Sequence, residues 1–212
     1  MSRAGRFGYP VSLDLTDRRC VVVGGGEVAG RKAKGLLEAG ARVTVVSPTL
    51  SPLLLGLADH GRIHWTPREY RPGDLADAWL VLIATDDAAV NAEAAAEARR
   101  RRVWINAADD PARCDFALPA IARRGALTVA VSTGGASPAL AQVVRDDVER
   151  GLAPEWAALG DLVAGVRREL RTRGIAPDGR RWRAALGGEL RRLLAAGLEA
   201  EARDWLRERL GA

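Results

Sequence analysis

The segment VVVGGGEVAGR, Val21 to Arg31, constrains this chain more than any other. A β-branched run ends in glycines and opens directly into a helical pattern, with Ala29, Ala33, Leu36 and Leu37 on one helical face and Gly40 closing it. The spacing fits G-x-G-x-x-A at Gly24, Gly26 and Ala29. The first glycine makes a tight turn, and the second lets backbone approach a pyrophosphate. The small third residue packs helix against sheet, and the free N–H groups at the helix start receive the phosphates. In this strand–loop–helix setting the motif points to dinucleotide binding; the competing reading is a structural glycine turn in another α/β fold. The acidic residue that normally grips the adenosine ribose is missing, because the next strand ends VVSPT. Ser47, Thr49 and the backbone around Pro48 are left to make that contact. No Arg follows that strand closely to favour a 2′-phosphate, and the residues alone do not decide between NAD and NADP.

Strand-like and helix-like segments alternate up to about residue 110. Ala41 to Pro48 reads as a strand, Ser51 to Gly61 as a short helix and RIHWTP as a weaker strand. Ala78 to Asp86 is apolar almost throughout, as expected of a strand covered on both faces. Ala88 to Arg101 is a helix and Arg102 to Ala107 a strand. This is the pattern of a Rossmann-like, doubly wound parallel α/β sheet. Beyond it, Phe116 to Arg123 and Leu127 to Ser132 read as a hairpin joined at Arg124-Gly125, followed by a helix from about Pro138 to Arg150. Only helices follow, with one apolar stripe at Leu159, Leu162, Val163, Val166 and Leu170 and another at Leu186, Leu190, Leu193 and Leu194. The expected division is a dinucleotide-binding domain at 1–112, a small β-hairpin and helix segment at 113–150, and an all-helical domain at 151–212.

With 212 residues, 48% hydrophobic and 28% charged, the chain has the balance of a soluble globular protein. No apolar run approaches the roughly 20 residues of a membrane span, and the start lacks an apolar core of signal-peptide length, so a cytoplasmic protein is expected. Cys20 and Cys114 are too few and too unpatterned for a disulfide framework or a zinc site. The net charge of +5 admits nucleic acid or a polyanionic small molecule as partner, but nearly all the cations are Arg, which reads as compositional bias too. Asp109-Asp110-Pro111 is first of all turn chemistry. Asp87, in a second acidic pair with Asp86, reads as a helix N-cap. Asn91 and Asn106 either line a site or satisfy backbone, while His60 and His64 have no partner at metal-ligand spacing.

Four segments carry a family resemblance: VVVGGGEVAGRKAKGLLEAGARVTVVSP, IATDDAAVN, NAADDPARCDFALPAI and LTVAVSTGGASPALA. In order and spacing the stretch from Tyr9 to about Arg150 resembles the siroheme-synthase N-terminal family, precorrin-2 dehydrogenases of which many are also sirohydrochlorin ferrochelatases. The resemblance implies NAD-dependent oxidation of precorrin-2 to sirohydrochlorin, which then receives Fe²⁺ as a second substrate, with no resident metal. It places the family's essential carboxylate at Asp109 and its NAD contacts at Glu27, Val28, Pro48 and Thr49, beside Gly24 and Gly26. By the same resemblance, Ser132, Thr133, Gly134 and Gly135 match the loop that faces the tetrapyrrole in the family, and a homodimer is expected to form through the segment after the α/β domain. Arg123 and Arg124, with Arg113 and Arg145, are candidates to hold a substrate with eight carboxylates, although each also reads as a solvated surface charge. Such a substrate accounts for the positive charge without nucleic acid. Longer family members continue into a methyltransferase domain, an activity not expected of this chain. Two alternatives stand: a dehydrogenase that leaves chelation to another protein, and a nucleotide-sensing module. The latter would carry an acidic residue after the second strand and lack the DDPxxCDF segment.

Overall fold

The β-branched and apolar runs form a parallel sheet whose central strands are buried on both faces, while the short strand at one edge is not. Its strands are β1 (Arg19–Val23), β2 (Arg42–Val46), β3 (His64–Thr66), β4 (Leu80–Ile83) and β5 (Trp104–Ala107), in the order β3-β2-β1-β4-β5. Side chains alternate across the sheet. Val21, Val23, Val81, Ile83 and Ile105 face one way, against Ala94, Ala95 and Ala98. Cys20, Val22, Leu80 and Leu82 face the other, against Ala29, Ala33, Leu36 and Leu54. The first set meets helix α3 (Ala88–Arg101); the second meets α1 (Glu27–Glu38) and α2 (Pro52–Asp59). The strand order reverses between β1 and β4, which opens a crevice at the carboxyl edge of the sheet. The computed structural model describes residues 7–108 and 110–211, and the chain divides into two compact units between Leu118 and Pro119.

Local signals set the helix ends. Asp87 caps α3, its carboxylate accepting from Ala89 N at 2.8 Å and Val90 N at 3.1 Å. Gly40, at φ +78°, follows the C-cap Ala39 and turns the chain into β2. On the other side of the sheet Glu97 is 2% exposed yet charged. It accepts from Tyr70 Oη, from Gly73 N at 2.9 Å and from Arg101 Nε at 2.6 Å. Burial pushes its carboxyl up, but these donors outweigh burial and hold it below the usual glutamate range.

The second unit holds a hairpin of β6 (Ala120–Arg124) and β7 (Leu127–Val131), then α4 (Pro138–Gly151), α5 (Glu155–Thr172), α6 (Gly179–Ala185), α7 (Gly188–Ala195) and α8 (Glu199–Leu210). The strand expected from Phe116 starts only at Ala120, because Asp115 and Phe116 are tied to β5 in the first unit by Asp115 N to Ile105 O (2.8 Å) and Asn106 Nδ2 to Phe116 O (3.0 Å). The hairpin turns at Gly125-Ala126, one residue later than expected, with Gly125 at φ +53° as the first residue of a II′-type turn requires. In the tail, Leu159, Leu162, Val166 and Leu170 of α5 pack against Leu190, Leu194, Leu206 and Leu210. Across this core Glu169 takes Arg203 at 2.5 Å and Arg207 at 2.6 Å.

Replacing Glu97 by Ala leaves Tyr70 Oη, Gly73 N and the Arg101 guanidinium without their common acceptor. The loss expected in urea unfolding of the first unit is about 3 kcal/mol, and Glu97→Gln, which keeps one acceptor, should lose less.

Candidate active site

Three loops meet at the carboxyl edge because two glycines let them. Gly24 has φ +117° and its α-carbon lies against the end of β4, where a Cβ would sit 2.1 Å from Ala84 O. A Cβ on Gly25 would fall 1.9 Å from Thr49 O and 2.5 Å from Ser47 Oγ. Gly25 O also accepts from Ser51 N at 2.7 Å, which ties the glycine loop to the loop after β2. Gly25 was not singled out by the motif, since it occupies an unspecified position; the run of three glycines was its only signal. Gly30 serves a related purpose one turn on, where a Cβ would meet Leu53 Cδ2 at 3.1 Å.

Gly26 differs from both. It is the N-cap of α1, no side chain caps the helix there, and nothing lies within 4 Å of where its Cβ would be. The first intrahelical bond runs from Gly30 N to Gly26 O, so the N–H groups of the first turn lie beyond the reach of the helix ladder. An uncapped helix start beside an open cradle is what a pyrophosphate requires, and the residues present fit a dinucleotide. Glu27, Val28, Pro48 and Thr49 are all exposed and surround this opening. The third loop, Ala84 to Asp87, is fixed by Asp87 N to Thr85 Oγ1 (3.1 Å) and Asn91 Nδ2 to Thr85 O (2.9 Å). Asn91 Oδ1 is buried with no hydrogen-bond partner among the described residues, an acceptor left over on this edge.

Next to these loops β5 ends at Ala107, and Ala108 N continues its pairing to Ile83 O at 2.9 Å. Asp109 lies outside the described residues. Asp110 caps the 3₁₀ turn Pro111–Arg113 through Arg113 N (3.2 Å) and pairs with the Arg113 guanidinium at 2.6 Å. Arg113 is therefore committed to Asp110. Lys32, on α1, donates to Asn106 Oδ1 at 2.5 Å. Neither the lysine nor its contact was anticipated. The available signal was composition, since Lys32 and Lys34 are the only lysines in an Arg-rich chain.

The remaining candidates lie in the second unit. Gly134 and Gly135 have φ of +63° and +93° in the β7–α4 loop. Thr133 Oγ1 accepts from Ser137 N at 3.0 Å, Ser132 Oγ accepts from Gly134 N at 3.2 Å, and Ser137 Oγ caps α4 through Leu140 N at 3.2 Å. Arg123 and Arg124 project to opposite faces of the hairpin, and Arg124 Nε donates to Leu152 O at 2.9 Å. Arg145 is paired with Asp146 (2.9 Å) and Glu149 (2.8 Å). Among the described residues no group of three or more His, Cys, Asp and Glu could hold a metal ion. His60 Nδ1 lies 2.7 Å from Gly56 O at the end of α2. His64 borders a cleft of about 660 Å³ with Arg19, Arg42 and Arg62, at the amino edge of the sheet, away from the glycine loop.

Fold and loops together define a nicotinamide-dinucleotide-binding α/β protein. The chain belongs to the NAD(P)-binding family found in siroheme synthases: residues 11–120 match the family model described as "Putative NAD(P)-binding", and residues 124–151 match "Sirohaem biosynthesis protein central". It is 46% identical over 158 residues to "Siroheme synthase 1" of Serratia proteamaculans, covering 74% of this chain and 33% of that protein. It is 43% identical over 162 residues to "Siroheme synthase" of Methylococcus capsulatus, covering 76% and 34%. The chain thus spans about a third of the length of these curated relatives. Among solved structures, "SirC, precorrin-2 dehydrogenase" matches with TM-score 0.77 and 26% identity, over 96% of this chain and 100% of that one.

Substitutions at the two neighbouring glycines should separate folding from binding. Gly26→Asp places a good N-cap residue in open space, so stability should change by no more than about 0.5 kcal/mol. The added carboxylate should nevertheless weaken NADH binding at least about tenfold in a fluorescence titration, because it occupies the phosphate position. Gly25→Ala must displace the loop after β2 and should cost about 2 kcal/mol as well as binding.

Proposed function

We propose that this protein oxidises precorrin-2 to sirohydrochlorin with NAD⁺ as hydride acceptor, in the cytoplasm and as a homodimer, and that it also inserts Fe²⁺ into the product. The observation that carries the reading is the shared sheet edge. The uncapped, side-chain-free start of α1 follows the carboxyl end of β1, and Asp109 comes two positions after the last residue of β5 in the sequence, in a chain that matches a precorrin-2 dehydrogenase over nearly its whole length.

The N–H groups of Gly26, Glu27 and Val28 hold the pyrophosphate, and Pro48 and Thr49 border the adenosine ribose. The bound nicotinamide supplies the hydride acceptor. Oxidation removes a hydride and a proton from the substrate, so a carboxylate must accept the proton, and Asp109 takes that role. Metal insertion displaces two protons from the ring nitrogens, which the same carboxylate accepts one at a time and passes to water. Ser132 to Gly135 together with Arg123 and Arg124 contact the acidic substituents of the tetrapyrrole.

NAD⁺ rather than NADP⁺ is favoured by the fate of Arg68, two residues beyond β3 and thus beside the end of β2. Its guanidinium grips Asp74 with two bonds of 2.8 and 2.6 Å, and that hydrogen-bonded pair holds the Asp74 carboxyl below the usual range. A 2′-phosphate would have to displace an established carboxylate. The homodimer is supported by α4, where Leu140, Val143 and Val144 form an exposed apolar stripe at helical spacing.

Under anaerobic conditions, pure protein with precorrin-2 and NAD⁺ should form NADH, and NADP⁺ at the same concentration should react more slowly. Adding Fe²⁺ afterwards should yield siroheme faster than in the absence of protein. Asp109→Ala should lower the oxidation rate by at least about 100-fold, with NADH affinity changed less than about twofold. Absence of NADH from the unsubstituted protein rejects the dehydrogenase, and siroheme formation no faster than the blank rejects the chelatase. In light scattering, Val143→Glu should shift a dimer of the unsubstituted chain to the monomer mass; an unchanged mass removes α4 from the interface.

A further inference from the structure

One sulfur holds the turn after β5 from the inside. Cys114 is 6% exposed and belongs to the core on the α3 side of the sheet. Its Sγ accepts from Ala107 N at 3.2 Å and lies 3.7 Å from Asn106 Nδ2. Its single thiol hydrogen faces two carbonyls, Ala107 O at 3.2 Å and Asp110 O at 3.3 Å. These two residues stand on either side of the pair Ala108 and Asp109.

The neighbours of Cys114 extend the same grip. Asn106 is buried and reaches Phe116 O with its Nδ2 at 3.0 Å, while its Oδ1 receives Lys32 Nζ at 2.5 Å. Asp115 Oδ2 accepts from Ile105 N at 3.1 Å, and Asp115 N donates to Ile105 O at 2.8 Å. The end of β5 is therefore bonded on one side to the segment 114–116 and on the other to the helix that starts at the glycine loop. A cysteine that only fills space needs none of these contacts, and valine would do the same. The thiol is a weak donor and a weak acceptor, so its contribution is direction: one atom engages backbone groups at both ends of a short turn.

We propose that Cys114 is a positioning residue for the oxidation, its thiol bridging the carbonyls of Ala107 and Asp110 so that the backbone on both sides of Asp109 is held in one conformation. The proposal rests on the dehydrogenase reading above. Displacement of a reacting group by about 1 Å can cost on the order of 100-fold in rate, so a clamp of weak bonds has a large effect on turnover and a small one on stability.

Three substitutions separate orientation from packing. Cys114→Val removes the hydrogen bonds while filling the site with a slightly larger apolar side chain, Cys114→Ala removes both bonds and volume, and Cys114→Ser keeps a donor and an acceptor. For Val and Ala we expect kcat for NADH formation to fall roughly 30- to 100-fold, with the Kd for NADH within about twofold. Ser should recover most of the loss. Hydrogen exchange at the Ala107 amide should quicken in Val and Ala and return towards the original rate in Ser, a readout that needs no turnover. Thermal melting and NADH binding verify that each variant is folded. Restoration of kcat by Val, or Ala turning over at the original rate, overturns the proposal. Absence of NADH from the unsubstituted protein is a different result: it sinks the dehydrogenase reading itself, and the role in oxidation falls with it.

Discussion

The nucleotide edge depends on backbone-to-backbone approach at Gly24 and Gly25. A Cβ at either position would lie near 2 Å from a carbonyl oxygen of the neighbouring strand's loop, a distance no packed structure tolerates. Because no side chain is there, the loops after β1, β2 and β4 close together, and α1 starts at the crevice where the strand order reverses. The crevice in turn brings the end of β5 to the same edge. The glycines therefore determine which chain segments can share this edge.

Charge is distributed more narrowly than the net +5 suggests. Arg68 is engaged with Asp74, Arg101 with Glu97, Arg113 with Asp110, Arg145 with Asp146 and Glu149, and Arg203 and Arg207 with Glu169. These pairs stiffen loops and helix contacts, and they withdraw cations from any general basic surface.

Much of this organisation could be read from residue order, because its causes are local. Runs such as LVLI and CVVV are strands since two-sided burial demands unbroken apolar sequence. Asp87 caps α3 since its carboxylate reaches N–H groups two and three residues ahead. The G-x-G-x-x-A spacing holds because it describes one strand, one turn and one helix. Features that depend on distant segments stayed hidden. Phe116 looked like the start of a hairpin strand, but Asn106 captures its carbonyl in the first unit. Arg113 looked available for substrate, but the turn of Pro111 brings it onto Asp110.

By itself, then, the sequence determined the doubly wound sheet, the position of the dinucleotide loop and the family motifs around Asp109, all of them periodic or contiguous patterns. Only the tertiary structure decided that Gly25 is as constrained as Gly24, that Lys32 reaches Asn106 across 74 residues, and that Cys114 engages the carbonyls of both Ala107 and Asp110. The physical reason is the same in each case. Such contacts arise from the packing of one element on another, and a bond between distant residues leaves no periodic trace in the chain that makes it.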